Sequence, residues 1–244
     1  MCHSDESRPP APPARGAVIG HHERTLTASD GNSFDAYEAH PEAESSKGFV
    51  ILPDVRGLHT YYKDLAVRFA EAGFHSMAFD YYGRSAGRGD RSEAFDYVPH
   101  WKATTPQGVD ADVRACIDKL RANGVEQIFT VGFCFGGTNS WRQAAVQPDV
   151  TGCVGFYGRP DGILPLQDQV HAPLLMLLGG ADPSIDPASY DDMLVKLHAR
   201  GIDAERHVYE GAPHSFFDRS FQDHQAACVD AWSRMLAFTD RASA

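Results

Sequence analysis

The sequence predicts an α/β fold, in which a mostly parallel central sheet carries helices on both faces and an antiparallel hairpin at its N-terminal edge. Residues 20–40 alternate between polar and apolar side chains, as half-buried hairpin strands do. Short, wholly apolar runs such as Phe49–Leu52 follow, as expected of strands buried on both faces of a parallel sheet. Segments with helical spacing separate these runs, so we expect one domain over residues 18–244, after an extended or disordered leader over residues 1–17 that takes no part in the fold.

The elements follow one another in a regular order. Asp30-Gly31-Asn32 is a strong turn signal within the hairpin. Strands are predicted over 49–52, 74–79, 128–133, 152–157, 174–178 and 204–209, and helices over 61–73, 109–124, 136–146, 187–200 and 223–239. Right-handed crossovers bring the ends of parallel strands to one edge, so site residues are expected just after strands. Residues 83–107, which include Tyr97 and Trp101, are too long for a plain connection and are predicted to form a pocket wall.

Composition argues against several classes of partner and site. The 244 residues contain 22 Lys and Arg against 33 Asp and Glu, a net charge of −11, which disfavours nucleic acid and anionic membrane surfaces as partners. The five cysteines include no Cys-x-x-Cys pair, and no histidine pair has metal-ligand spacing with a third partner, so neither a disulfide framework nor a metal site is expected. No apolar run is long enough to span a bilayer or resembles a secretory signal, and a cytoplasmic location is expected. The sequence gives no indication of the oligomeric state.

The candidate nucleophile is Cys134. Gly132-Phe133-Cys134-Phe135-Gly136 lies between a predicted strand and a predicted helix, and it matches the nucleophile-elbow pattern G-x-S-x-G with cysteine in place of serine. Small residues two positions away on each side let neighbouring backbone pass the sharp turn closely. A helix N-terminus also favours a thiolate. The alternative, a buried structural cysteine, is preferred for Cys116, Cys153 and Cys228, which lie on apolar faces without a motif.

The elbow pattern requires an acid after a later strand and a histidine after the last strand. Asp182 follows the strand over 174–178, and His214 lies in the loop after the strand over 204–209. Asp186, four residues further on, is a rival for the acid. The donors for an oxyanion are predicted to be the backbone N–H groups of Phe135 and Val55. Asp54, next to Val55, is either a turn residue or a carboxylate near the cysteine.

Five segments of the chain together resemble the dienelactone hydrolase family of α/β-hydrolases. They are Gly132–Gly137, Gly179–Asp182, Gly211–Phe216, Phe79–Arg84 and Gly155–Gly158, in the family's order over nearly the whole chain beyond residue 20. The resemblance implies the α/β-hydrolase fold and a Cys134-His214-Asp182 triad. It also implies that Asp54 interacts with the resting thiol and helps to form the thiolate.

Two positions depart from the family pattern. The carboxylate at position 54 is usually glutamate in the family, and aspartate is one methylene shorter. The family holds a substrate carboxylate with arginines, one of them four residues after the catalytic histidine, where this chain has Asp218, with Arg219 next to it. Arg84, Tyr157 and Arg219 are the candidate substrate-binding residues. Arg84, with Arg88 and Arg91, is either another clamp or a solvated loop charge.

The favoured interpretation is a hydrolase of lactones or activated esters that needs no cofactor. Its cysteine would form an acyl-thioester, and a thiolate leaving group suits activated substrates such as enol lactones. The alternative is a catalytically retired member of the same fold that binds small molecules or responds to oxidants through Cys134.

Overall fold

The computed structural model describes residues 4–243, and one eight-stranded sheet runs through it. The strands are β1 Val18–Thr27, β2 Ser33–Pro41, β3 Lys47–Leu52, β4 His75–Phe79, β5 Gln127–Phe133, β6 Val150–Phe156, β7 Leu174–Gly179 and β8 Ala204–Tyr209. The helices are α1 Thr60–Glu71, α2 Gly83–Ala86, α3 Val98–Ala103, α4 Pro106–Ala122, α5 Phe135–Val146, α6 Asp191–Ala199 and α7 Gln225–Ala242. Every strand expected from the sequence is present.

The strand order is β1-β2-β4-β3-β5-β6-β7-β8. β1 and β2 form the expected antiparallel hairpin, β2 pairs with β4 in antiparallel fashion, and the remaining neighbours are parallel. The predicted fold class, a mostly parallel sheet with an N-terminal hairpin, is therefore confirmed. This strand order places the C-terminal ends of β3, β5, β6, β7 and β8 side by side, and the candidate site residues follow these ends.

Helices cover both faces of the sheet. Adjacent residues of a strand point to opposite faces, and two residues of β5 show which helices lie on each. Phe129 packs against Phe49 of β3 and Phe238 of α7. Thr130 instead shares a hydrogen bond of 2.7 Å with Ser140 of α5. The helices α7 and α5 therefore lie on opposite faces, as the sequence predicts.

The core is built from the apolar strands and from aromatic side chains on α1 and α7. All six residues of β7 are buried, which explains why the sequence shows an unbroken apolar run there. Phe69 of α1 packs between Phe49 and Trp232 of α7 with tilted rings, whose centroids are 4.6 and 4.9 Å from that of Phe69. Each such ring contributes about 1.5–3 kcal/mol by burial, so this layer anchors the sheet that carries the site.

Three details differ from the sequence-based expectation. The helix predicted over 187–200 is divided into a 3₁₀ turn, Pro187–Tyr190, and α6. The segment 83–107 contains α2, α3 and the start of α4. Residues 1–3 of the leader lie outside the described residues, and residues 4–17 form no helix or strand, include a turn between Ser4 and Ser7, and contact the rest of the domain.

The leader packs against two helices of the domain. The indole N–H of Trp232 donates to the carbonyl of Pro10 at 3.2 Å in a buried contact. The N–H of Gly16 donates to the carbonyl of Glu71, at the end of α1, at 2.7 Å. The proline-rich composition gave no sign of these contacts, which overturn the expectation that the leader takes no part in the fold. Within the described residues, no helix is both long and apolar enough to cross a bilayer.

Candidate active site

Cys134 lies at the corner between β5 and α5, with φ 54° and ψ −115°. A positive φ is uncommon for residues other than glycine, and such strain concentrates at functional sites. The corner is held by a hydrogen bond of 3.0 Å from the Cys134 N–H to the carbonyl of Phe156 on β6. This geometry matches the strained strand-to-helix turn that the motif predicts.

The glycines around Cys134 are sterically required. A Cβ on Gly132 would lie 1.9 Å from the carbonyl oxygen of Gly136, and one on Gly136 would lie 2.0 Å from that of Leu52. A Cβ on Gly137 would lie 2.5 Å from the carbonyl oxygen of Phe156. Three backbone segments therefore cross at the corner at distances that only glycine permits.

His214 and Asp182 are joined directly. The imidazole Nδ1 of His214 lies 2.5 Å from Oδ2 of Asp182, whose side chain is fully buried. The other oxygen of Asp182, Oδ1, accepts hydrogen bonds from the N–H and the hydroxyl of Ser184, at 2.9 and 2.6 Å. Because a carboxylate only accepts hydrogen bonds, Nδ1 carries the proton, and Nε2 is the nitrogen that can take a proton from another group.

The rival acid, Asp186, has a different role. Its Oδ1 accepts a hydrogen bond of 2.9 Å from the N–H of Ala188 and so caps the 3₁₀ turn Pro187–Tyr190. Of the two aspartates that the sequence offers, Asp182 is the one placed on the histidine.

Cys134 and His214 line one cavity of about 580 Å³. Val55, Phe135 and Tyr157 also line it, as three of the sequence-based candidates. The other lining residues are Trp101, Pro106, Thr138, Asn139, Arg142, Arg159, Asp161, Gly162 and Ser184. Trp101 and Pro106 come from the segment 83–107, which confirms that this segment forms part of a pocket wall.

The loop that contains Val55 is tied down by two tyrosines that follow β4. The hydroxyl of Tyr82 donates to the carbonyl of Val55 at 2.6 Å, and the hydroxyl of Tyr81 donates to that of Pro53 at 2.7 Å. The ring of Tyr81 also packs edge-on against Phe135, with centroids 5.3 Å apart. Tyr81 therefore contacts both segments that carry the candidate oxyanion donors.

Asp54 is fully buried and takes part in the turn after β3. Its Oδ1 accepts a hydrogen bond of 2.8 Å from the N–H of Arg56, which is the turn role considered for this residue. Burial raises the pKa of Tyr81 well above its usual value, and nearby charges that include Asp54 and Cys134 add to the shift. Asp54 and Cys134 thus lie within electrostatic range of the same phenol.

Two of the three candidate substrate-binding residues lie elsewhere. Arg84 is bound to Asp30 and, at 2.7 Å, to Asp112, and it does not line the cavity. Arg219 lines a different cavity beside the leader. Neither arginine therefore lies in the cavity with Cys134 and His214, and Arg84 instead pairs with two acids distant from it in sequence.

The alternative clamp arginines are also bound to carboxylates. Arg88 contacts Asp35, and Arg91 contacts Asp80 at 2.9 Å in a fully buried pair. The long segment contributes apolar groups to the cavity and keeps its arginines away from it.

Tyr157 does line the cavity, and it also explains where Asp218 lies. Its ring is 4.8 Å from the imidazole of His214, and its φ is 36°. Its hydroxyl donates to Oδ2 of Asp218 at 2.6 Å, and Asp218 is fully buried. The acid at the family's arginine position therefore lies behind the cavity wall.

Sequence reasoning missed Arg142 and Arg159 in the cavity wall. Arg142 lies on the same side of α5 as Phe135, Thr138 and Asn139, so the helical spacing from the elbow was the available signal. Arg159 comes shortly after β6, at the edge where site residues are expected. Within residues 4–243, no group of three or more His, Cys, Asp or Glu side chains is arranged to hold a metal ion.

Comparison with known proteins gives consistent results. The profile of the dienelactone hydrolase family matches residues 34–243. A Salmonella typhimurium protein named "Putative carboxymethylenebutenolidase" is 30% identical over 230 residues, covering 87% of this chain and 84% of that protein.

Solved structures give the same result. The structure named "Putative Dienelactone Hydrolase" from Klebsiella pneumoniae has a TM-score of 0.74 at 26% identity, covering 89% of this chain and 98% of that one. A dienelactone hydrolase-like promiscuous phosphotriesterase from metagenomic libraries has a TM-score of 0.74 at 20% identity, covering 91% of this chain and 98% of that one, and shares the fold.

Proposed function

The chain belongs to the dienelactone hydrolase family, and we propose that it hydrolyses esters or lactones with Cys134 as its nucleophile. The observation that carries the proposal is the arrangement of one cavity. It is lined by a strained cysteine at a helix N-terminus and by a histidine whose Nδ1 is held by a buried aspartate. Cysteine, histidine and aspartate in these roles form a nucleophile, a base and an orienting acid.

In the first half of the reaction, Nε2 of His214 takes the proton from Sγ of Cys134, and the sulfur attacks the carbonyl carbon of the substrate. Asp182 stabilises the imidazolium through the hydrogen bond of 2.5 Å. The carbonyl oxygen becomes an oxyanion, which accepts hydrogen bonds from the N–H groups of Phe135 and Val55. Phe135 begins α5, where backbone N–H groups lack acceptors within the helix.

In the second half, the C–O bond of the ester or lactone breaks, and His214 returns the proton to the leaving oxygen. The acyl group remains on Cys134 as a thioester. His214 then takes a proton from water, the water oxygen attacks the thioester, and the thiolate leaves. The His214 side chain is 28% exposed, so water reaches the imidazole from the cavity.

Asp54 has an electrostatic role in this proposal. Its carboxylate interacts with the resting thiol and helps to form the thiolate when substrate binds, and the next residue, Val55, lines the cavity together with Cys134.

The test is the hydrolysis of p-nitrophenyl acetate and of dienelactone by the wild-type protein and by Cys134→Ala. We expect the variant to lose activity by about 10⁴-fold or more. Cys116→Ala is the matched control, since Cys116 is also a thiol but is buried in the core, and it should keep its activity. Brief incubation of the wild-type protein with p-nitrophenyl acetate, followed by an acid quench, should place an acyl group on the peptide that contains Cys134, as measured by mass spectrometry, and His214→Ala should form this adduct more slowly.

Full turnover by Cys134→Ala would refute the proposal. A wild-type protein that hydrolyses no ester or lactone, while Cys134 reacts readily with peroxide, would instead favour the oxidant-responsive alternative.

A further inference from the structure

The walls of the cavity are largely apolar. Trp101 and Pro106 come from the segment after β4, Phe135 from the elbow, and Tyr157 from the loop after β6. The hydroxyl of Tyr157 donates to Asp218, which does not line the cavity, so the ring is the part of this buried side chain that borders the cavity. Such surfaces bind apolar groups by removing them from water.

The more buried cation in the wall, Arg142, is already neutralised. Its Nε and Nη2 contact both oxygens of Asp110, at 3.0 and 2.8 Å, and the two side chains are only 15% and 19% exposed. Gln143 donates a third hydrogen bond to Asp110 and fixes the carboxylate. A two-point pair of this kind leaves little net attraction for a second carboxylate.

The second cation, Arg159, has its counter-charge in the same wall. Its Nε lies 3.8 Å from Oδ2 of Asp161, and both side chains are mostly exposed at the mouth of the cavity. The two charges therefore largely cancel for a substrate at the mouth.

No further cation lines the cavity among the described residues. Arg84 and Arg91 are bound to carboxylates elsewhere, and Arg219 lines a separate cavity. Behind the cavity wall lie the buried carboxylates of Asp182 and Asp54 and the buried guanidinium of Arg56, and none of these three side chains lines the cavity.

From this balance of charges we infer that the substrate is an electrically neutral, largely apolar ester or lactone, and that carboxylate-bearing substrates are disfavoured. The inference rests on the proposed function and adds the substrate class. Asp161 is the residue that sets the discrimination at the mouth, because it cancels the charge of Arg159.

The experiment compares dienelactone, which carries a carboxylate, with its methyl ester, which is neutral and otherwise matched. Opening of the ring is measured for each, and each kcat/KM is divided by the rate constant for hydroxide, which removes the difference in intrinsic reactivity. We expect the methyl ester to be favoured by about tenfold or more at low salt.

Two variants test the charges at the mouth. Asp161→Asn leaves Arg159 without its counter-charge and should raise the relative kcat/KM of the acid by about threefold to tenfold. Arg159→Gln removes the positive charge and should lower the kcat/KM of the acid relative to that of the methyl ester. Both effects should weaken in 0.5 M salt, because exposed charges are screened within about 10 Å already at 0.1 M salt.

Binding of the two lactones to Cys134→Ala, measured by calorimetry, provides the same comparison without turnover. Tighter binding of the methyl ester supports the inference, and equal or tighter binding of the acid overturns it. Failure of the proposed function is a separate result, in which wild-type protein and Cys134→Ala turn over substrate equally. The binding comparison then still decides the substrate class.

Discussion

Replacing Gly136 by alanine should separate the two backbone segments that carry the proposed oxyanion donors. The added Cβ would lie 2.0 Å from the carbonyl oxygen of Leu52 and 2.3 Å from that of Pro53. An ordinary contact begins at 3.4 Å, so α5 and the end of β3 must move apart by about 1.4 Å to relieve repulsion. Phe135 lies on one of these segments and Val55 on the other.

Two opposing effects determine the result. Alanine is the better helix former, which favours the variant by about 1 kcal/mol. Overpacking against rigid backbone costs about 1–3 kcal/mol or more, so the free energy of unfolding should fall modestly. A misplacement of about 1 Å near reacting atoms costs about 100-fold in rate. We therefore expect kcat/KM for p-nitrophenyl acetate to fall by about 100-fold or more, well beyond what the loss of stability explains.

The assay combines initial rates with urea unfolding followed by circular dichroism. Gly16→Ala is the matched control, since a Cβ there would lie 3.4 Å from the carbonyl oxygen of Glu71, an ordinary contact. It should keep both its activity and its stability. If folded Gly136→Ala works at the wild-type rate, the two segments are not rigidly coupled, and the geometric argument for the oxyanion donors is refuted.

Three further predictions concern buried carboxylates. Asp182→Asn should lower kcat by about 10³–10⁴-fold, because the amide no longer fixes the imidazole as the carboxylate does. Asp186→Asn is the control and should change kcat little. Equal losses of kcat in the two variants would contradict the choice of Asp182 as the acid that orients His214. Arg91→Met should lower the free energy of unfolding in urea by about 3–5 kcal/mol at pH 7.5, because it strands the buried charge of Asp80. Burial raises the pKa of Asp80, so the loss should shrink at pH 5, and a loss that does not depend on pH would count against this explanation. Burial also raises the pKa of Asp112 from 3.8 to about 6, so the folded state binds a proton on this carboxylate more tightly than the unfolded state does. The free energy of unfolding should therefore fall by up to about 3 kcal/mol as the pH rises from about 4 to 6. Urea unfolding of Asp112→Asn at both pH values should lack this fall.

The strands, the mostly parallel sheet and the main catalytic candidates could be predicted from local patterns. The run over β7 is apolar throughout because the strand is covered on both faces. Cys134 was identifiable because the glycines around it are forced by backbone crossing. Asp182 and His214 were identifiable because each follows a strand whose end reaches the same edge of the sheet.

Contacts between distant parts of the chain could not be predicted in this way. Arg84 is separated by 54 residues from Asp30 and by 28 from Asp112, so nothing near it in sequence indicates that these acids bind it. The Trp232 contact to Pro10 spans 222 residues. Local composition reports backbone preference, and it does not report which surface a segment packs against.

The extended leader affects how the protein should be prepared for crystallisation. Proline-rich tails are commonly trimmed before crystal trials, and a recombinant form starting at Val18 would remove the Pro10 carbonyl from Trp232. It would also remove the Asp5 carboxylate, whose Oδ1 lies 2.6 Å from Nε2 of His59, the residue that caps α1 directly after the turn following β3. The form to crystallise is therefore one that keeps residues 4–17, and purification tags should be placed away from this segment.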